Sequence, residues 1–359
     1  MQNTDGAAPM AHASRLDLVQ TLRGLAAFAV LTHHIAVAVD DYFGRDFTPL
    51  GVGLGWVGVD VFFVLSGFIM VWTTRDAGHG LRPAASFWTR RALRVYPPYW
   101  AATALAFGVT LLVPAIGSGH GGGDWLHSLT LLPAAAPPFL NPGWTLIYEL
   151  WFYLGFGFLM LAPRRFLPAL LAGWAFAVIV GALRFGAQAG PILHVAINPL
   201  TLNFLMGAGV ALGLGAWRGA LSPRLILAIA LCGCLGLLAG AFIVSAVGWN
   251  DWTRMAACGP ASAVLLTGAA LADRAGLMRP PQALVTLGDW SYALYLTHQP
   301  LIFAIAAVSV QAFGVGWTGV AVTYLVGAIL PFPFAWALHK LVELPAQTWG
   351  RSAARWIKP

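Results

Sequence analysis

The sequence predicts an all-α fold: a polytopic membrane helix bundle of about ten transmembrane helices with both termini in the cytoplasm. Of the 359 residues, 59% are hydrophobic and only 9% are charged. A soluble domain carries roughly 25% charged residues, so the composition excludes a soluble protein. No stretch keeps the alternation of apolar and polar residues that a membrane β-barrel requires. The bundle is therefore the one class that fits both observations.

Ten apolar stretches account for this prediction. A helix needs about 20 apolar residues to cross a hydrocarbon core of about 30 Å. Most of the stretches end at Arg, Pro, Asp or Trp, which are typical of helix ends at the membrane interface. The last stretch ends near Leu338. In order, the ten begin near Leu16, Val52, Tyr99, Gly143, Phe166, Ala196, Leu225, Met255, Trp290 and Gly316.

The distribution of Lys and Arg predicts the topology. With the N-terminus inside, 17 of the 20 lysines and arginines fall in cytoplasmic segments, and only Arg45, Arg184 and Arg254 fall outside. Cytoplasmic segments retain positive residues, and one missed or added helix would scramble this pattern. The net charge of +7 then reflects insertion and the anionic inner leaflet, and no nucleic-acid partner is expected.

The chain divides into one membrane domain and two short tails. Residues 1–14 are small and polar and are predicted to be a disordered tail, residues 15–340 form the transmembrane domain, and residues 341–359 form a basic cytoplasmic tail. The longest loops are predicted over residues 73–98 and 117–142. A signal peptide is not expected to be cleaved from the first stretch, because that stretch is long and carries two histidines where a signal sequence is apolar.

Ionisable residues stand at both ends of the first stretch, in RGLAAFAVLTHH at residues 23–34. Such groups are costly in a membrane and mark candidate functional sites. Eleven residues make about three helical turns, so Arg23 and His34 share one face, about 16 Å apart along the axis, while His33 points about 80° away. Arg23 is predicted near the cytoplasmic edge and His34 in the outer half. The alternative is a snorkelling arginine and a histidine that is only structural.

An aspartate lies among apolar residues in the second stretch, in GVDVFFVLSGF at residues 58–68. Because a lone carboxylate in hydrocarbon needs a partner, Asp60 is predicted to pair with Arg23 or with the arginines that precede the third stretch. In that role Asp60 would orient or balance Arg23. The alternative is a structural ion pair.

Three arginines precede the third stretch, in FWTRRALRVYPPYW at residues 87–100. Arg91 and Arg94 are three residues apart and form one cationic face, with Arg90 beside them, and such a face suits a phosphate group. The alternative is cytoplasmic anchoring of the helix by positive residues within an aromatic belt.

Two further candidates lie in the fourth and ninth stretches. In GWTLIYELWFYLGF, residues 143–156, Glu149 lies among aromatic residues that include Tyr153, a combination that suits a sugar or an interfacial anchor. In SYALYLTHQPL, residues 291–301, His298 stands two residues before a proline, which frees backbone groups that a polar side chain can satisfy. His298 is therefore structural or faces the substrate. No spacing of His, Cys, Asp and Glu indicates a metal site.

These motifs together resemble the membrane-bound acyltransferase family 3, which O-acylates bacterial exopolysaccharide, lipopolysaccharide and peptidoglycan-type acceptors. The resemblance covers about residues 15–340 and is greatest to the stand-alone exopolysaccharide acetyltransferases. It implies that Arg23 and His34 are the essential pair, that Arg91 and Arg94 form the second arginine motif, and that Glu149 is the family's acid. Members usually carry one histidine where this chain has His33 and His34.

The resemblance and the topology imply acyl transfer across the bacterial inner (plasma) membrane. Cytoplasmic acyl-CoA, acetyl-CoA in particular, would be the co-substrate, with no bound cofactor, and the acceptor would be a hydroxyl group of an extracytoplasmic polysaccharide or lipid-linked sugar. CoA phosphates would bind Arg91, Arg94 and Arg90, with support from Arg23. His34 would act as a general base or would itself take the acyl group.

Two other classes of function are compatible with the same residues. A proton-coupled transporter or flippase of a polysaccharide precursor would use Arg23, Asp60 and His34 as coupling groups and would need no acyl-CoA. A scaffold for the polysaccharide synthesis machinery would tolerate substitutions on the Arg23–His34 face. Acyl-CoA-dependent chemistry at the Arg23–His34 face is the property that separates the acyltransferase from both alternatives.

Overall fold

The computed structural model of the protein describes residues 16–44, 47, 52–116 and 125–357, without the side chains of 355 and 356. Over these ranges the regular structure is helical and contains no strand, as the composition predicts. The predicted N-terminal tail lies outside the described residues. The α-helices are α1 (Asp17–Phe43), α2 (Gly58–Thr73), α3 (Leu81–Leu112), α4 (Trp125–Thr130), α5 (Gly143–Leu159), α6 (Leu167–Phe185), α7 (Pro191–Ile197), α8 (Thr201–Ala216), α9 (Pro223–Val247), α10 (Asp251–Ala275), α11 (Gln282–Phe313), α12 (Trp317–Ile329), α13 (Pro331–Leu338) and α14 (Leu344–Ile357).

Eight helical segments within the described ranges are long and apolar enough to cross a membrane, and the chain is a membrane protein. They coincide with eight of the ten predicted stretches. The other two stretches are helices α3 and α5. Helix α5 has only 17 residues, and α3 combines arginines with two internal prolines. The count of ten and the cytoplasmic location of both termini stay predictions.

Helix α3 begins much earlier than the third apolar stretch. The prediction of a loop over residues 73–98 is wrong for most of that segment, because α3 begins at Leu81 and continues through Pro97 and Pro98. Alanine, leucine and arginine favour helix, and prolines are tolerated in membrane helices when neighbours satisfy the freed backbone groups. Arg90, Arg91 and Arg94 therefore lie on a helix.

The C-terminal segment is also helical. Helix α13 passes through a π turn, His339–Glu343, into α14. Helix α14, which includes most of the predicted tail, packs against α3. A π turn inside a helix changes the direction in which the side chains in it and after it point. Here it directs Glu343 into the protein interior, where its side chain is 2% exposed.

Glycines bring the central helices into close contact. A Cβ atom added at Gly67 of α2 would lie 1.8 Å from the carbonyl oxygen of Phe204 in α8, and one added at Gly207 of α8 would lie 1.8 Å from that of Val64 in α2. Small residues let helix backbones touch, which is how helices associate in lipid. Helix α1 packs similarly on α11, where Gly288 lies against the backbone of Gln20.

The helices differ in what they expose. Helices α6 and α9 carry large apolar side chains on the surface, such as Leu183 and Phe242, which a bilayer would cover. Helices α2, α8 and α11 are mostly buried. The two cavities described next lie among α1, α2, α3, α5, α10 and α11.

Candidate active site

Two cavities adjoin each other in the interior of the bundle. The first, the histidine cavity, has a volume of about 200 Å³. The second, the arginine cavity, is smaller, with a volume of about 60 Å³. Val59 and Tyr295 line both of them. Polar and aromatic residues of the histidine cavity include His33, His34, Asn141, Trp56, Trp144, Trp249 and Arg254. Those of the arginine cavity include Arg23, Arg91, Arg94, Ser66, Glu149, Tyr153 and Tyr292.

Helix α1 connects the two cavities from end to end. Its Arg23 lines the arginine cavity and its His34 the histidine cavity, as the predicted common face requires. Helix α11 runs in the same direction, because Tyr292 lines the arginine cavity and the later Tyr295 lines both cavities. Helices α2 and α5 run in the opposite direction: Val59 and Trp144, near their N-termini, line the histidine cavity, and Met70 and Tyr153, further along, line the arginine cavity. Arg23 and His34 are about 16 Å apart along α1, and a substrate that contacts both residues would have to extend over this distance.

The tautomer of His34 follows from its two neighbours. The Nδ1 atom of His298 lies 3.1 Å from the carbonyl oxygen of Leu294, so Nδ1 carries the proton and Nε2 of the neutral ring is an acceptor. His34 Nδ1 lies 2.9 Å from the carbonyl oxygen of Val30 and 3.1 Å from His298 Nε2. Both partners accept, so His34 Nδ1 also carries a proton, assigned here from the hydrogen-bond network. Nε2 of neutral His34 is then the atom with a free lone pair.

His33 is held differently from His34. Its Nδ1 lies 2.6 Å from the carbonyl oxygen of Gly53, in the segment before α2. The two rings meet edge to face, with their centroids 5.1 Å apart, and both line the histidine cavity. Only His34 has a second imidazole, His298, as a partner, with ring centroids 4.8 Å apart. The prediction that His34 is the acting ring therefore gains a structural argument.

The arginine cavity combines three guanidinium groups with one carboxylate. Glu149 accepts hydrogen bonds from Ser66, at 2.9 Å, and from the hydroxyl group of Tyr153. The guanidinium carbon of Arg91 lies 5.4 Å from the centroid of the Tyr153 ring. Arg91 Nε is buried with no hydrogen-bond partner among the described residues. The cavity therefore retains positive charge and a free donor, which suits an anionic ligand.

Electrostatic neighbours of Arg23 come from three other helices. The charge of Arg23 interacts with those of three residues, which are Arg94 of α3, Glu149 of α5 and Glu343 of the π turn. Arg23 also donates from Nη1 to Gln20 Oε1 at 3.2 Å. Glu343 also interacts electrostatically with Arg94. Its Oε2 atom lies 2.8 Å from His339 Nδ1. Sequence reasoning did not single out Glu343, because the π turn that brings it inward is not visible in the residue pattern.

Three predicted site residues lie elsewhere than expected. Arg90 does not line the arginine cavity and donates to Ser86 of its own helix. Glu149 and Tyr153, predicted beside the acceptor sugar, lie instead with the arginines. His298, left open between a structural role and one facing the substrate, contacts His34 directly.

Asp60 pairs with Arg254, so the prediction of Arg23, Arg91 or Arg94 as its partner is wrong. Arg254 Nε donates to both carboxylate oxygens, at 3.1 and 2.9 Å, and Asn203 Nδ2 donates to Oδ1 at 2.9 Å. The reason is a helix boundary: α10 begins at Asp251, before the predicted start near Met255. This puts Arg254 in the first turn of a helix that contacts α2, and not in an outside loop.

Arg254 is the main functional candidate that the sequence did not reveal. The residue is 1% exposed. Three tryptophan rings surround its guanidinium carbon, with centroids 5.4 Å away for Trp56, 5.7 Å for Trp144 and 5.0 Å for Trp249. In the sequence, the one indication of a functional role for Arg254 was its position beside an apolar stretch and two nearby tryptophans. The same position is typical of a loop at the membrane interface.

A surface groove lies next to the histidine cavity. This proline groove has a volume of about 500 Å³ and is lined by residues 133–138, Trp144, Tyr148, Pro191 and His194. Trp144 lines both the groove and the histidine cavity, so a ligand in the groove would lie beside the cavity. As for metals, the described residues contain no group of three His, Cys, Asp or Glu side chains that could hold an ion. His120, on the predicted 117–142 loop, lies outside the described residues.

Comparison with known proteins gives consistent matches over most of the chain. Residues 17–340 match the acyltransferase 3 family, which is described as an acyltransferase domain. The acyltransferase MdmB of Streptomyces mycarofaciens is 31% identical over 318 residues, covering 79% of this chain and 78% of the relative. The exopolysaccharide production protein ExoZ of Rhizobium meliloti is 30% identical over 311 residues, covering 83% of this chain and 92% of the relative. No solved structure matches the chain.

Proposed function

The chain belongs to the acyltransferase 3 family, and from this premise we propose that it is a membrane-bound O-acyltransferase of the bacterial inner membrane. It moves an acetyl group from cytoplasmic acetyl-CoA to a hydroxyl group of an extracytoplasmic polysaccharide or lipid-linked sugar. The observation that carries the proposal is the pair of adjoining cavities along α1, one rich in arginine and one containing a histidine with a free ring nitrogen.

The arginine cavity is the proposed site of the donor. Guanidinium groups bind phosphate oxygens through paired, charge-assisted hydrogen bonds, and acetyl-CoA carries several phosphate oxygens at one end. Arg23, Arg91 and Arg94 line the cavity against a single carboxylate. The pantetheine arm of acetyl-CoA would extend past Val59 and Tyr295, so that the thioester reaches the histidine cavity.

The proposed reaction uses His34 as general base. His34 Nε2 takes the proton of the sugar hydroxyl while the sugar oxygen attacks the thioester carbon. The C–S bond then breaks, and the CoA thiolate takes the proton back from His34, so the products are the O-acetyl sugar and free CoA. His298 Nε2 accepts from His34 Nδ1 and keeps the ring in the tautomer that leaves Nε2 free. A neutral imidazole suits this role because its free ring nitrogen can accept the proton of the hydroxyl group.

The histidine cavity is also the proposed site of the acceptor. Its tryptophan rings offer apolar faces that suit the C–H face of a pyranose, and its imidazole and amide groups can bond to hydroxyls. An engineered cavity of about 150 Å³ holds benzene, so a cavity of about 200 Å³ can hold one sugar ring. The similarity to an exopolysaccharide production protein supports a polysaccharide acceptor, and the proline groove would hold the neighbouring sugars.

The test is acetyl-CoA-dependent acetylation by purified protein in proteoliposomes, with polysaccharide from a deletion strain as acceptor. His34→Ala is expected to lower CoA release by about 10²–10⁴-fold, the contribution of a general base, while the exposed His79→Ala is expected to leave it unchanged. Arg91→Ala with Arg94→Ala is expected to raise the KM for acetyl-CoA, and the exposed Arg82→Ala of the same helix is the matched control. Movement of a sugar precursor without acetyl-CoA would instead identify a transporter.

A further inference from the structure

Arg254 has a donor that nothing in the described structure uses. Its Nε atom donates to both oxygens of Asp60, but its Nη2 atom is buried with no hydrogen-bond partner among the described residues. Buried polar groups are nearly always bonded, and each exception calls for an explanation. Since Arg254 lines the histidine cavity, the explanation we consider is a ligand in that cavity.

The guanidinium group is held in a fixed orientation. Asp60 holds Nε from one side, and Asn203 in turn donates to Asp60 at 2.9 Å. Three tryptophan rings enclose the group. These contacts leave little freedom to the side chain, which is 1% exposed. A preorganised donor in a site of low dielectric constant interacts with developing charge far more strongly than it would in water.

The charges around Arg254 suit acyl transfer. When His34 takes a proton from a hydroxyl group, the ring becomes positive and the attacked carbonyl oxygen becomes negative. Asp60 already balances the charge of Arg254 in the resting protein, so Nη2 offers a donor without adding net charge to the cavity. Phosphate groups have their own partners in the arginine cavity, Arg23, Arg91 and Arg94, and do not require Arg254.

We propose that Arg254 Nη2 binds the carbonyl oxygen of the acyl thioester and stabilises the oxyanion that forms when the acceptor attacks. This proposal rests on the proposed function. In the step, the sugar oxygen bonds to the thioester carbon, the C=O electron pair moves to the oxygen that Arg254 holds, and the hydroxyl proton goes to His34. The pair then returns to form C=O, the C–S bond breaks, and the thiolate takes the proton from His34.

The first test is kinetic and is designed around the buried charge pair. Removing Arg254 alone would leave Asp60 buried without a partner, which is strongly destabilising, so the main variant is the neutral pair Asp60→Asn with Arg254→Gln. We expect kcat to fall about 10²–10³-fold, the usual effect of losing an oxyanion donor, with an unchanged KM for acetyl-CoA. Arg254→Lys keeps the charge and is expected to show the same loss, and Arg184→Gln, at an exposed position, is the control.

The second test needs no acceptor and separates this proposal from the proposed function. [1-¹³C]acetyl-CoA is bound to the His34→Ala protein in nanodiscs, and the infrared band of its carbonyl group is recorded. We expect a lower frequency when Arg254 is present than in the same protein with Asp60→Asn and Arg254→Gln. Equal frequencies would overturn the role of Arg254 while leaving the donor site intact.

The remaining outcomes are also decisive. If acetyl-CoA binds neither protein, the donor assignment fails and the role of Arg254 fails with it. If the neutral pair raises the KM for the acceptor polysaccharide and kcat recovers at saturation, Arg254 binds the sugar and the carbonyl assignment is wrong. A neutral pair that keeps the full kcat would show that Asp60 and Arg254 are only a structural ion pair.

Discussion

His34 is positioned by two acceptors that come from different parts of the chain. One is the carbonyl oxygen of Val30 in its own helix, and the other is the ring of His298, which is 264 residues away in sequence. A local carbonyl alone would fix the tautomer but would leave the ring free to turn about its bonds. The second contact fixes the plane of the ring, and in the proposed mechanism it would also offer an acceptor to the imidazolium of His34.

Substitution of His298 tests this positioning role. His298→Leu removes the acceptor for His34 Nδ1, and we expect a fall in kcat with an unchanged KM for acetyl-CoA. His298→Gln keeps an oxygen acceptor and is expected to restore part of the lost activity. Both variants are measured by CoA release, alongside thermal unfolding in detergent. Equal activity of the Leu and Gln variants at equal stability would contradict the role.

Residue-level predictions succeeded where the sequence pattern is local. The common face of Arg23 and His34 follows from helical periodicity, and so does that of Arg91 and Arg94. The partner of Asp60 could not be predicted, because Arg254 is 194 residues away in sequence. In addition, α10 begins four residues before its predicted start, and this difference puts Arg254 in a helix and not in a loop. Helix termini are the least certain feature of a sequence-based assignment, and a buried ion pair depends on them.

Helices α2 and α8 contact each other backbone to backbone. Gly67 and Gly207 each lie against the backbone of the other helix. This contact keeps α2 in register, and α2 carries both Asp60, which binds Arg254 of the histidine cavity, and Ser66, which lines the arginine cavity. A change in the spacing of the two helices would therefore disturb both ends of the site, although neither glycine lines a cavity.

Alanine at Gly207 is expected to destabilise the protein. Its Cβ atom would lie 1.8 Å from the Val64 carbonyl oxygen, so the helices must separate, and overpacking of this kind costs about 1–3 kcal/mol. Gly209→Ala is a matched control on the same helix, because a Cβ there meets nothing within 4 Å and alanine favours helix over glycine. Thermal unfolding in detergent should show a lower Tm for Gly207→Ala alone, and equal Tm values would refute the close contact.

Element-level predictions depended on hydrophobicity. Eight helices were found at the predicted positions because each has a continuous apolar stretch. Helix α3 was predicted too short at its N-terminus because arginines interrupt its hydrophobicity without interrupting the helix. The π turn at His339–Glu343 has no sequence signal of its own, since it depends on how the helix packs against its neighbours.

At the scale of the molecule, the helix directions are consistent with acyl transfer through the bundle. Helices α1 and α11 run from the arginine cavity to the histidine cavity, and α2 and α5 return, which is the alternation that the ten-span topology predicts. The distribution of lysine and arginine predicts which end is cytoplasmic. The donor can then bind from one side of the membrane and the acceptor from the other. Neither substrate has to cross the membrane, because only the thioester end of the donor extends along α1.

Cysteine labelling tests this orientation. The parent for the test replaces Cys232, Cys234 and Cys258, and single cysteines are then placed at His79 and Ala135, which are both exposed. His79 lies between α2 and α3 near the arginine end, and Ala135 lines the proline groove near the histidine end. A membrane-impermeant maleimide should label Ala135→Cys in intact spheroplasts and His79→Cys only after permeabilisation.

Each labelling pattern has a direct consequence for the mechanism. The expected pattern puts the arginine cavity on the side where acetyl-CoA is made and the histidine cavity on the side where the polysaccharide is exposed. The reverse pattern would require acetyl-CoA outside the cell, and labelling of both cysteines from one side would mean that the two ends do not lie across the membrane. Either result would contradict transfer across the bilayer, even if acetylation itself depended on His34. The cysteine-free parent must therefore keep its acetyl-CoA-dependent activity, so that the labelled protein is the active one.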